Sequence, residues 1–198
     1  MSYDSIVLAS ASQRRSLLLA QIGVRHEAVP AELDETPAAG ESPAAYVQRL
    51  ARDKAQATHL ALGALASRPV LGADTTVVLD GRIYGKPADE QDCVGMLMSL
   101  SGRCHEVWSA IALYDGVRLR EDLNVSRVSF RALDATECRR YWASGEPAGK
   151  AGAYAIQGLG AVFIARLEGS FSGVMGLPLF ETAALLDAAG VSRWQAPA

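Results

Sequence analysis

An α/β fold built on a mixed sheet is what this sequence predicts, and three observations carry that expectation. Short continuous apolar runs, suited to buried strands, are interspersed with stretches of helical period. Two Asp-Gly pairs, Asp80-Gly81 and Asp115-Gly116, join strand-like runs as hairpins, so part of the sheet must be antiparallel. Helices fall between strands without the strict alternation of a purely parallel sheet.

The elements follow in order. Ser5 to Ala9 (SIVLA) reads as a first buried strand, after which Ser10 or Ser12 can cap a helix. That helix has Leu17, Leu18 and Ile22 in its apolar stripe and stops at Gly23. A loop rich in Pro and Glu occupies Pro30 to Glu41. Ser42-Pro43 then offers a capping serine and a proline at the first helical position, for a helix reaching about Leu62. Val70 to Leu79 is a strand, turned back by Asp80-Gly81 into Arg82-Ile83-Tyr84. A helix from about Asp89 to Leu100 puts Val94, Leu97 and Met98 on one face and ends at Gly102. Cys104 to Tyr114 and a strand ending near Phe130 flank the second hairpin turn. Asp134 and Glu137 have capping-box spacing for a helix ending at Gly145. The glycine-rich stretch Gly145 to Gly160 leads into an expected strand, Ala161 to Leu167. Pro178 to Ala189 is the last helix, stopped by Gly190, with a frayed tail expected from about 192. No repeat or linker divides the chain, so a single domain over 1–198 is expected.

Composition limits the function. The chain has 198 residues, 49% of them hydrophobic and 21% charged, which suffices for a substantial core. Its net charge of −3 lacks the basic field that a nucleic-acid polymer demands. A small polyanion needs only a few well-placed cations and stays open. No apolar run approaches the ~18 residues of a membrane span. Asp4 stands where a signal peptide would be positive, so a cytoplasmic protein without a membrane partner is expected. Cys93, Cys104 and Cys138 are odd in number and lack CxxC spacing, which suits reduced thiols acting as small hydrophobes.

Several segments mimic known motifs and fail. Gly145 to Ala151 (GEPAGKA) places three residues between its glycines where a P-loop needs four, and Ala151 stands where Ser or Thr should hold magnesium. Gly81 to Lys86 fails likewise. Gly158-Leu-Gly160 lacks the third glycine of a dinucleotide fingerprint, with Phe163 in its place. His26, His59 and His105 share no metal spacing, and Gly169-Ser-Phe-Ser172 is a turn-like hydroxyl cluster without a partner.

Other residues carry more. Ser10-Ala-Ser-Gln-Arg14-Arg15 lies where a strand ends and a helix begins. Helix N–H groups, hydroxyls and guanidiniums together suit phosphate, although a capped helix with solvated arginines would read the same. Asp74 interrupts a run otherwise fit for a core strand. It is either a catalytic base or metal ligand, or an acid at a strand end held by the cleft or by amides. Lys54 continues the apolar stripe Val47, Leu50, Ala51, so it either snorkels or points into a cleft. Asp34-Glu35 offers loop carboxylates suited to magnesium or manganese, or simply to solvent. Lys86 pairs in a simple hairpin with Thr75, on the face opposite Asp74, and only a bulge or strand end would bring Lys86 and Asp74 together.

Taken together, LASASQRRSLL (Leu8 to Leu18), LDE (Leu33 to Glu35), LARDKA (Leu50 to Ala55), GADTTVVLDGRIYGKP (Gly72 to Pro87), LSGRCHEVWSAIAL (Leu100 to Leu113), GKAGAYAIQGLGAVFI (Gly149 to Ile164) and GSFSGVMGLPLFET (Gly169 to Thr182) resemble the Maf family of nucleoside triphosphate pyrophosphatases. The resemblance spans nearly the whole chain in consistent order. It implies a two-lobed, ITPase-like fold with an elongated mixed sheet and a central nucleotide cleft. It also implies cleavage between the α and β phosphates with a divalent metal (Mg, Mn or Co). By the same resemblance Asp74 is the proton acceptor, Glu35 and Asp74 hold the metal, and Ser10, Arg14, Arg15, Lys54 and Lys86 bind the substrate. Arg14, Thr75 and Gln157 match the positions linked to base selection and resemble the dTTP/UTP branch. The alternatives are the 7-methyl-GTP branch and a nucleotide-sensing regulator of division without turnover. A homodimer is left open. Gln13 replaces a common Pro and Ser109 a common Thr, neither expected to touch a residue assigned to the chemistry.

Overall fold

The computed structural model describes residues 2–63 and 67–195. Its strands are β1 (Ile6–Leu8), β2 (His26–Ala28), β3 (Val70–Leu79), β4 (Arg82–Tyr84), β5 (Cys104–Tyr114), β6 (Leu119–Phe130) and β7 (Ile164–Glu168). Its helices are α1 (Gln13–Gln21), α2 (Pro43–Leu62), α3 (Glu90–Leu100), α4 (Ala135–Ala143), α5 (Phe171–Met175) and α6 (Leu179–Ala189). Among the described residues the strands form one mixed sheet in the order β2-β1-β3-β5-β6-β7, with β4 added to the edge of β3. The two β1 pairings are parallel, and all the others are antiparallel.

Two features of β3 create a cleft. β1 pairs with it only at Val70 and Leu71, and β4 only from Val77 to Leu79. On that side Gly72 to Thr76 has no strand neighbour among the described residues, while β5 runs continuously along the other side. The core divides at the same level. On one face Leu71, Ala73, Ile111 and Leu113 pack with Leu18 and Leu19 of α1 and Leu186 of α6. Farther along that face Val77, Leu79 and Val107 pack with Leu97 of α3, Tyr141 of α4 and Phe163. Thr75 and its cross-strand partner Ser109 lie between these two apolar clusters. Helix α2 covers the opposite face, setting Val47, Ala51 and Ala55 on Ala110 and Ala112.

The structure corrects several expectations. The stretch expected as a strand from Ala161 begins with a 3₁₀ turn, Leu159–Phe163, and turns extended only at Ile164. Leu17 is exposed while Leu18 and Leu19 are buried, because α1 is rotated to face the sheet. On α3 the buried residues are Cys93, Leu97 and Leu100, and Met98 is exposed. Cys104 sits exposed at the start of β5, so of the three cysteines only Cys93 and Cys138 serve the core. The segment from 192 is not frayed up to 195: Ser192 N–H donates to Tyr3 O, Trp194 N–H to Ile22 O and Gln195 N–H to Gly23 O. The closing Ala-Pro-Ala lies outside the described residues. Two short elements, β2 and α5, appear where the sequence shows neither alternation nor a helical stripe. No helix among the described residues is long and apolar enough to cross a membrane.

Candidate active site

The bare edge of β3 opens into a cleft of about 760 Å³. Ser10, Arg14, Arg15, Glu35, Lys54, Asp74, Thr75, Lys86 and Gln157 all line it. Residues spread over most of the sequence thus converge on one cavity.

Its floor is set by how closely α2 lies on the sheet. A Cβ on Gly72 would stand 2.1 Å from Ala51 O and 2.7 Å from Ala55 N, so only glycine admits the helix. That approach lays Lys54 over Asp74, two residues along β3. Lys54 Nζ bonds Asp74 Oδ1 at 2.7 Å and Glu35 Oε1 at 2.6 Å, and both Lys54 and Asp74 are buried. Lys54 therefore does not snorkel; it bridges two carboxylates. β4 ends at Tyr84, leaving Lys86 on the following loop, exposed, with Nζ 3.3 Å from Glu35 Oε2. The strand end places Lys86 in the cleft through Glu35, not through direct pairing with Asp74. Tyr46, two helical turns before Lys54, donates its hydroxyl to Glu35 O at 2.9 Å. Its position at 46, with 50 and 54, is the i, i+4 signal that could have marked it.

Burial raises Asp74 above the usual carboxylate range, with Lys54 and then Arg15 pulling against it. Partial burial also acts to raise Glu35, but Lys54 and Lys86 outweigh it and leave that carboxyl below its ordinary value. Tyr46 is pushed up to about 12 by burial and by the two carboxylates. One carboxyl is thus raised and the other lowered on either side of the same Lys54 ammonium.

The other wall is built on α1. Ser12 is its N-cap, accepting from Arg15 N–H, and Ser10 accepts from Ser12 N–H at 3.1 Å. Arg15 donates from Nη1 to Ser10 Oγ at 3.1 Å, from Nε to Gly176 O at 2.8 Å and from Nη2 to Thr75 Oγ1 at 3.4 Å. Arg14 donates from Nε to Met175 O at 3.3 Å. Ser109 Oγ donates to Gly173 O at 2.6 Å, so its single proton is used and Thr75 is the donor in their 2.9 Å contact. A directed chain therefore runs from Arg15 through Thr75 and Ser109 to α5. This corrects the expectation for Ser109, which does touch a residue assigned to the site. The GSFS cluster also acquires a role: Ser170 caps α5, whose end supplies the carbonyls that hold both arginines.

Residues 5–189 match the family described as Maf-like protein. The chain belongs to the Maf family. A dTTP/UTP pyrophosphatase from Bordetella parapertussis is 52% identical, covering 94% of this chain and 93% of its own length. One from Bordetella avium is 53% identical over 94% and 96% of the two chains, and one from Saccharophagus degradans 51% identical over 96% and 91%. A Mycobacterium abscessus nucleoside-triphosphatase / dITP/XTP pyrophosphatase covers 93% of this chain and 96% of its own at TM-score 0.46 and 17% identity, a likeness too distant to carry an assignment.

In this Maf chain two more features complete the cleft. Gln157 is exposed on the loop after Tyr154 and lines the cavity. Lys150, set aside with the failed P-loop, also lines the cavity; burial and the neighbouring Arg14 lower its pKa. For a hard divalent cation the available donors are the carboxylates of Glu35 and Asp74. Among the described residues no group of three or more His, Cys, Asp or Glu is placed to hold a metal ion together. Two carboxylates with phosphate and water completing the shell is a coordination that magnesium accepts, so the donor set fits.

Proposed function

We propose that this Maf protein hydrolyses dTTP and UTP to the monophosphate and pyrophosphate. The observation that carries the reading is the buried Asp74, raised by burial and flanked by cations, on the open edge of one cleft with Arg14 and Arg15. The names of its relatives point to the same substrates.

The cleft residues divide the work as follows. Ser10, Arg14 and Arg15 at the start of α1 receive the phosphate chain, where N–H groups and guanidiniums favour anions. Lys54 and Lys86 exchange part of their carboxylate contacts for phosphate oxygens and neutralise charge as the α–β anhydride bond breaks. Asp74 orients the attacking water and accepts its proton. A divalent cation (Mg, Mn or Co) bound by Glu35 and Asp74 would supply further charge neutralisation on the phosphates. Gln157 offers one donor and one acceptor to the O4–N3 edge of uracil or thymine, Thr75 bounds the pocket, and Arg14 joins this end to the phosphates. The cytoplasm, where triphosphates are made and thiols stay reduced, is the compartment this activity suits.

The test is kcat/KM for dTTP, UTP, CTP, GTP and 7-methyl-GTP under one metal condition, with and without EDTA. The first two are expected to lead, and chelation to remove turnover. Preference for 7-methyl-GTP would overturn the base assignment. Release of pyrophosphate from none of them would overturn the enzymatic reading in favour of a nucleotide sensor.

A further inference from the structure

Two motifs that failed as nucleotide fingerprints meet in one hydrogen-bonded clamp. Glu146 comes from the GEPAGK segment, and Gly158 and Gly160 come from the GLG segment. The Glu146 carboxylate accepts Leu159 N–H on Oε2 at 2.9 Å, and on Oε1 it accepts Gly160 N–H at 2.9 Å and the Tyr141 hydroxyl at 2.7 Å. That hydroxyl in turn accepts Ala155 N–H at 3.1 Å. Successive N–H groups of this kind form a nest for an anion, and here the protein fills the nest with its own side chain.

The glycines make room for it. A Cβ on Gly158 would stand 2.1 Å from Glu146 Oε2, and one on Gly160 would stand 2.7 Å from the Tyr141 hydroxyl. The clamp holds the main chain at 155 on one side and at 159 and 160 on the other. Between those anchor points lies Gln157, exposed and facing the cleft. An exposed glutamine on an unanchored loop would sample many orientations, and its amide would read no base edge sharply. We propose that Glu146, seconded by Tyr141, is the positioning residue that fixes the Gln157 loop and so sets the base selectivity of the cleft. This rests on the reading of Gln157 as the residue that meets the base.

Glu146→Gln keeps the shape but turns one acceptor into a donor facing main-chain N–H, and Tyr141→Phe removes only the hydroxyl. Either is expected to lower the dTTP-over-GTP ratio of kcat/KM by about tenfold, chiefly through KM for dTTP, as an unfixed contact group would. Turnover of the disfavoured triphosphate should change little, and Glu146→Asp should restore part of the ratio. In a Gln157→Ala background, adding Glu146→Gln should cost no further selectivity, because the two act through one contact. If Glu146→Gln slows every triphosphate alike, or adds its full effect to Gln157→Ala, the clamp is merely structural and the proposal is overturned. If Gln157→Ala alone leaves selectivity intact, the reading of Gln157 fails and the proposal falls with it. Should Glu146→Gln not fold, as judged by its melt, Tyr141→Phe decides by the same ratios.

Discussion

At Asp74 stability and the proposed chemistry pull in opposite directions. Its pKa is raised by burial, against Lys54 and Arg15, so the folded protein binds that proton more tightly than the unfolded chain. The group's favourable contribution is therefore complete at acid pH, below its unfolded value, and is lost as pH rises through the raised folded value. Asp74→Asn is expected to abolish turnover while melting no lower than the parent at neutral pH, because Lys54 keeps Glu35 as a partner. Activity near the parent rate would show that Asp74 is not the base. Lys54→Ala and Lys86→Ala should each lose about ten- to a hundredfold in kcat/KM, the worth of a charge-assisted contact. Their stabilities should differ. Lys54 is buried between two acids, and removing it leaves Asp74 without its ammonium, whereas the pair made by the exposed Lys86 contributes about 0–1 kcal/mol. Asp74 and Lys54 are legible in the sequence because each breaks an apolar pattern. Ser109 is not: serine in a strand is unremarkable, and its importance comes only from the register that sets it opposite Thr75.

The helix α2 shows what an element adds beyond its residues. Ser42 and Pro43 mark its start, Val47, Leu50 and Ala51 its inward stripe, and the structure follows them closely. What the stripe does not reveal is how near the helix comes to β3, because that depends on Gly72, on a different segment. Gly72→Ala would push its methyl into Ala51 O and Ala55 N. The helix would have to lift, at roughly 1–3 kcal/mol for overpacking. The Lys54–Asp74 contact should loosen with it. Thermal melts and kcat/KM should therefore fall together in Gly72→Ala, and a variant with parental values of both would refute this account of the helix contact. Helix α5 is the opposite case. Its five residues are too few to display a period, and what defines it is tertiary: Ser170 capping Gly173 N–H, and Ser109 reaching Gly173 O. The strand β2 is shorter still, three residues with none buried, so alternation has no room to appear.

On the scale of the whole molecule, the cleft exists because β1 and β4 each cover only one end of β3 and the core divides at Thr75. Strands, helices and hairpins are readable from local period, but the gap between two edge partners is a property of register over distant segments. A nucleotide in this gap would touch α1, the bare edge of β3 and the Gln157 loop at once, and so tie the two cores together. Binding to the folded state alone stabilises it by mass action, about 2.7 kcal/mol at a hundredfold excess over Kd. For a chain of this size that corresponds to roughly 5–10 °C in Tm. The Asp74→Asn protein allows the measurement without consuming the ligand. With magnesium and saturating dTTP or UTP its Tm should rise by that amount, while GTP at the same concentration should raise it much less. An equal rise with all three would place recognition in the phosphates alone, and Gln157→Ala should then leave every shift unchanged. Selective loss of the dTTP and UTP shifts in Asp74→Asn/Gln157→Ala would instead locate base choice at the loop, independently of turnover.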